Sequence, residues 1–300
     1  HLFVYCVYGS SDMKSVTSGI TFMILTIFLF SIMNALAKGF TTHYPIIEIV
    51  WARYLSQTIL TTIIFLPNIG KTIKTKRITL HLFRSLLLFG ATIFMFSGFK
   101  YLSLISTITI FQIGPLVVVI FSVLFLKEAV GFRRWLSVII GFAGTLFILK
   151  PGTEMFALYG FFPIMAAICY AGYAVSTRKL GTEEDPKTNF FYTSLVGTII
   201  SSFMLIPYFE PMAFKDLALF SMLGILGGLG HFSLVIALRR SEASFLAPFT
   251  YFDLIFATIL GIVFFAEYPD IYILLGAFLI VSAGIYTWYR GRVKRMITKT

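Results

Sequence analysis

Long apolar runs cut apart by short basic tracts constrain this chain more than any other feature. A helix needs about 20 mainly apolar residues to cross roughly 30 Å of hydrocarbon. Cutting at charge clusters and Pro/Gly turns leaves ten such runs, near 17–37, 45–66, 78–99, 104–126, 132–149, 155–177, 189–208, 217–238, 243–266 and 271–289. The fifth is the shortest free of charge, and the second and third each contain one arginine. With 58% hydrophobic and 12% charged residues and a mean hydropathy of +0.90, the expected fold class is an all-α polytopic membrane protein with ten transmembrane helices.

A net charge of +11 on a soluble chain would point to nucleic acid, but here Lys and Arg lie between apolar runs rather than on one basic face. No nucleic-acid partner is expected. The charges instead orient the protein in a lipid bilayer. Ten spans put both termini on one side; if that side is cytoplasmic, inner tracts hold 18 of the 24 Lys and Arg residues and outer tracts only Lys38, Lys100, Lys150 and Lys215. The positive-inside rule therefore makes both termini cytoplasmic. Residues 1–12 precede MKSVTSGITFMILTIFLF, which reads as a natural start from Met13, and are set apart as a leader. That first run has no small-residue cleavage site behind it and is expected to stay as a helix. Cys6 and Cys169 lack metal-ligand spacing, so neither a metal site nor a disulfide framework is expected, and no cofactor is called for.

The chain also repeats itself. FSVLFLKE, ending at Glu128, matches GIVFFAE, ending at Glu267, 139 positions on, and Gly19 and Lys38 match Gly160 and Lys179 at an offset of 141. Each glutamate precedes a span with small residues at its core, Gly141 and Gly144 or Gly276 and Gly284. This pattern divides the chain into a five-helix repeat over 13–150, a second over 151–290 and a basic tail over 291–300. An odd number of spans per half forces the halves to enter the membrane from opposite sides, an inverted-topology repeat.

TITIFQIGPLVVVIFSVLFLKE, with Pro115 thirteen residues before Glu128, followed by RRWLSVIIGFAGTLFILKPG, resembles the EamA-like branch of the drug/metabolite transporter superfamily. The likeness covers residues 14 to 290. Within that branch HLFRSLLLFGATIFMFSGFKYLS and LAPFTYFDLIFATILGIVFFAEYPD are similar to the S-adenosylmethionine uptake carriers of intracellular bacteria. The resemblance implies a secondary transporter in a bacterial inner membrane. An acidic residue and an arginine in the second span, here Glu48 and Arg53, match a frequent feature of the branch. The second half departs from the pattern: Pro248 lies nineteen residues before Glu267, and Asp253 and Leu254 stand where Gly114 and Pro115 stand in the first half.

Asp253 is 13 residues from Arg240 and 14 from Glu267, which at 1.5 Å per residue places it about 20 Å from either end. An acid at that depth is a candidate for substrate contact or proton coupling, or for a structural pair with a buried arginine. Arg53 is the expected partner. Asn34, Gln112, Tyr170, Tyr173 and Tyr251 are polar or aromatic groups at mid-span depth, of the kind that line a cavity for an organic substrate. His231 is either a proton relay or a packing histidine. Arg84 is expected to snorkel to lipid head groups, and Gly224 and Gly228 to serve helix packing. Pro115 and Pro248 each free a backbone carbonyl beside the cavity. Glu128 and Glu267 read as structural residues at helix ends.

The expected function is alternating-access transport of a small polar or amphipathic metabolite, S-adenosylmethionine or an amino-acid-like compound, by a monomer or homodimer. Export of amino acids or drug-like compounds is the alternative. Without GxxxxGKT, direct ATP drive has no support, and without HExxH, GxSxG or paired aspartates an intramembrane enzyme has little.

Overall fold

Helix boundaries follow local rules. Pro45, with its fixed extended backbone, precedes the helix Ile46–Phe65 (α2). The Ser103 hydroxyl accepts from Ser106 N at 3.0 Å to start Leu104–Phe111 (α4). Asp185 caps Pro186–Leu205 (α7) through Lys187 N at 2.9 Å, with Pro186 at the first helical position, where its missing N–H costs nothing. The remaining long helices are Ser10–Phe40 (α1), Ile78–Tyr101 (α3), Gly114–Leu126 (α5), Phe161–Leu180 (α6), Phe214–Arg240 (α8) and Phe252–Phe265 (α9).

These come from a computed structural model, which describes residues 10–127, 136, 139–140, 143, 158–180, 184–208, 214–241, 243–279, 281–282 and 285–286. The fifth expected span apart from residues 136, 139–140 and 143, together with Glu128, Gly141, Gly144, Gly284, residues 1–9 and the basic tail, lies outside the described residues. Among the described residues there is no strand, and six helices are long and apolar enough to cross a membrane. Residues 271–279 are helical within the tenth expected span. The first helix begins at Ser10, three residues inside the expected leader.

Two expected spans are interrupted. The fourth breaks between α4 and α5, where Gly114 and Pro115 begin the second piece. The ninth, expected as one helix over 243–266, is one turn at Ala243–Leu246, a 3-10 segment Ala247–Tyr251 with Pro248 at its start, and then α9. Proline has no N–H for the helical ladder and its ring clashes with the preceding turn, so a continuous helix is lost there. Both broken spans end in a left-handed residue that is not glycine, Lys127 at φ 55° and Ala266 at φ 51°. They are 139 positions apart, like the two glutamates that follow them.

The end of α8 meets the start of α1 at Arg240 and Ser18, and the end of α1 meets the end of α3 at Lys38 and Phe99. The end holding the start of α1 and Arg240 is called proximal, and the end holding Phe40, Tyr101 and Glu267 distal. Packing is reciprocal. The α1 helix packs on α8 and α9 as α6 packs on α3 and α5, α2 packs on α8 as α7 packs on α3, and α2 and α7 pack on each other. Among the described residues, one core cluster joins α1, α2, α3, α4, α6, α8 and α9 around Phe40, Tyr54, Phe96, Phe99 and Phe220.

Glycines on α8 permit the closest approach. A Cβ on Gly224 would stand 2.6 Å from Arg53 O and Gln57 N, backbone atoms of α2 that cannot rotate aside. Overpacking of this kind costs about 1–3 kcal/mol. Gly224→Ala is therefore expected to lower the thermal unfolding midpoint of the purified protein, and an unchanged midpoint would refute the contact.

Candidate functional site

A cavity enters the bundle between α1, α3, α5, α6, α8 and the broken ninth span, and reaches α2 at Arg53. Its walls are mainly apolar, with Met23, Met33, Met95, Phe30 and Phe111 among them. Polar groups are few and placed where helices break or approach closely, which suits recognition of an organic molecule by a small number of directional contacts.

Asp253 sits in the first turn of α9, immediately after the 3-10 segment. Ser31 of α1 donates to its Oδ1 at 2.5 Å. The expected pair with Arg53 does not form. Both residues line the cavity, but the Arg53 donors are engaged elsewhere: Nε to Met33 Sδ at 3.3 Å, Nη1 to Thr92 Oγ1 at 3.1 Å and Nη2 to His231 Nε2 at 2.7 Å. Three of the five guanidinium N–H groups are used in this way, and neutral partners leave its charge uncompensated. Gly227 lets the group come close to α8, since a Cβ there would be 3.1 Å from Arg53 Nε. The glycine run expected to serve packing thus also seats this arginine.

His231 lines the cavity and is buried. Because a guanidinium only donates, His231 Nε2 accepts, so the ring proton resides on Nδ1, 3.4 Å from the Tyr173 hydroxyl. A proton arriving at Nε2 has to displace Arg53 first.

Gln112 lies at the break of the fourth span and donates from Nε2 to Thr250 O in the break of the ninth at 3.2 Å. The side chain that bridges the two interruptions also lines the cavity, as do Asn34 and Tyr170. Tyr170 packs edge-on to Phe111, with ring centroids 5.5 Å apart. Tyr173 and Tyr251 do not line it. Tyr173 stands behind His231, and Tyr251, in the 3-10 segment before Asp253, packs with Leu102, Ile105, Ile110 and Ile273, so both depart from the expected lining.

Arg84 does not snorkel. It is fully buried between α3, α6 and α7, donating to Thr177 Oγ1 at 3.0 Å, to Asn189 O and to Thr193 Oγ1, with its guanidinium 5.1 Å from the Tyr173 ring centre. Its position in the third span is consistent with either orientation of the side chain. The hydroxyls and carbonyl that hold it come from helices about a hundred residues away in sequence, which no local pattern reveals. Ser31 and Thr92, both missed from sequence, are single hydroxyls on apolar helices and carry no signal of their own.

The EamA-like transporter family matches the chain twice, over residues 17–150 and 158–289. The chain belongs to the EamA-like transporter family. This EamA-like protein is 30% identical to the S-adenosylmethionine uptake transporter of Rickettsia felis over 92% of the chain and 94% of that relative. It is 26% identical to the pseudopaline exporter CntI of Pseudomonas aeruginosa over 89% of the chain and 95% of that relative. A solved protein structure at 19% identity superposes with a TM-score of 0.69, covering 92% of the chain and 98% of that structure, a likeness of fold alone. The EamA-like chain is a multi-pass membrane protein whose named relatives are transporters.

Proposed function

We infer that the protein is a secondary transporter that moves a small polar or amphipathic metabolite through the central cavity by alternating access. S-adenosylmethionine or an amino-acid-like compound is the cargo. The observation that carries this reading is that Asp253 and Arg53, an acid and a base, line one cavity without pairing with each other. An ammonium or sulfonium meets Asp253, and a carboxylate meets the guanidinium N–H groups left over from Met33, Thr92 and His231. The named activity of the Rickettsia felis relative agrees with that cargo.

The two family matches, the reciprocal helix packing and the paired left-handed caps support two inverted five-helix halves. On the positive-inside rule both termini are cytoplasmic, and the bacterial transporter relatives support placement in a bacterial inner membrane. Alternating access by inverted repeats around a site built at broken helices is a common transporter architecture. Export of amino acids or drug-like compounds is the second reading, and the exporter among the relatives supports that direction of transport.

Uptake of labelled S-adenosylmethionine and amino acids into proteoliposomes, with and without a pH gradient, tests the proposal. Saturable uptake of one of them is expected. A flat response across the panel in both directions of gradient rejects this cargo class. Where a gradient accelerates uptake, loss of that acceleration in Asp253→Asn assigns the coupling proton to Asp253.

A further inference from the structure

The cavity is one-sided. On α1 its lining runs from Met23 to Asn34, on the ninth span it stops at Asp253, and on the fourth it begins at Phe111. One turn farther toward the distal end, Ala37, Ile108 and Ala257 are buried in a single core cluster. Beyond that layer, Lys38 of α1 donates from Nζ to Phe99 O at 3.0 Å and Leu102 O at 2.7 Å, and lies 3.5 Å from Glu267 Oε1. Glu267 Oε2 in turn accepts from Ile105 N at 3.3 Å.

The chemistry matches the helix ends that meet there. Lys38 places an ammonium on the carbonyls ending α3, and Glu267 places a carboxylate on the N–H groups opening α4, each charge opposite in sign to the helix end it faces. The backbone aims Glu267: Ala266 adopts its left-handed conformation just before it, and Glu267 N donates to Gly261 O at 3.0 Å. Gly261 itself lies so near α4 that a Cβ would stand 2.7 Å from Ile105 Cγ1. Three pieces of the first half, the ends of α1 and α3 and the start of α4, are thus tied to the end of α9 in the second half.

We propose that Lys38 and Glu267 form a latch that holds the distal end of the cavity shut, and that the cavity reaches the distal surface only when this pair separates. The side chains are 17% and 16% exposed, so water competes for both charges and the pair can open reversibly, unlike a fully buried one. A helix-end glutamate that read as structural becomes half of a conformational device once Lys38 is placed against it. The transport reading supplies the purpose of the movement, whereas the latch itself is testable without any cargo.

The test uses the full chain with Cys6→Ala and Cys169→Ala and a single reporter, Ala257→Cys, one turn distal to Asp253. Modification by a charged maleimide is followed in detergent-solubilised protein, and folding is checked by thermal midpoint. Lys38→Met is expected to raise the labelling rate about tenfold, equivalent to about 1.4 kcal/mol in the closed-to-open equilibrium, while Lys38→Arg stays close to the parent. Glu267→Gln retains an acceptor for Ile105 N and is expected to give a smaller rise. Should Lys38→Met fail to fold, Glu267→Gln decides the matter alone. Parent-like labelling in folded Lys38→Met, or in Glu267→Gln where it is the deciding variant, overturns the latch. Failure of the cargo panel together with faster labelling leaves the latch standing and removes only the cargo assignment.

Discussion

Asp253→Asn is expected to cut transport of a cationic or zwitterionic cargo by about tenfold to a hundredfold, the range set by about 1.5–3 kcal/mol for a charge-assisted contact. The substitution keeps the shape of the side chain, and the Ser31 hydroxyl that reaches Oδ1 at 2.5 Å still finds an amide oxygen there. Abundance and thermal midpoint should therefore remain close to those of the parent. The loss should fall on KM for cargo bearing an ammonium or sulfonium and be small for an analogue without the positive group. Unchanged uptake in Asp253→Ala at normal abundance would remove Asp253 from the transport path.

Arg53 gives the second large effect. In Arg53→Lys a single ammonium replaces a planar fork that serves Met33, Thr92 and His231 while leaving N–H groups over. An ammonium on a flexible stem cannot reproduce that geometry. Uptake of a carboxylate-bearing cargo is expected to fall by about a hundredfold, corresponding to about 2.8 kcal/mol, and Arg53→Met to fall at least as far. A decarboxylated analogue should lose far less in either variant, which separates a binding role from a folding one. Equal losses for cargo and analogue, with a lowered thermal midpoint, would reassign Arg53 to holding α1, α2, α3 and α8 together.

Both residues are legible in the sequence itself. An acid in FTYFDLIFATIL and an arginine one-third of the way along the second span stand out because charge in hydrocarbon is costly. Counting residues gives their depth, Asp253 near the middle of its span and Arg53 about one-third of the way along its own. Their partners are not legible. Ser31, Thr92 and His231 lie 222, 39 and 178 positions from the groups they contact, and a lone hydroxyl on an apolar helix has no periodicity to betray it. Arg84 departs from its expected orientation for the same reason: a long side chain near a helix end can reach out to head groups or inward to Asn189 and Thr193, and only neighbouring helices choose between them. Tyr251 and Tyr173 have the right depth but stand behind the cavity wall, because depth leaves the angle around the helix and the identity of the facing neighbour open.

Hydropathy was enough to specify a chain of apolar helices, since it depends on composition and order along one dimension, while the motifs around Pro115 and Asp253 carried the resemblance to a transporter family. Pro115 and Pro248 each mark a freed backbone carbonyl, but in sequence both spans read as single helices, and the structure breaks them. Which charges meet was decided by tertiary packing. Asp253 meets Ser31 rather than Arg53, and Lys38 meets Glu267 across the two halves, because glycines such as Gly224 and Gly261 set how closely helices distant in sequence approach. A close approach of that kind has no counterpart along the chain.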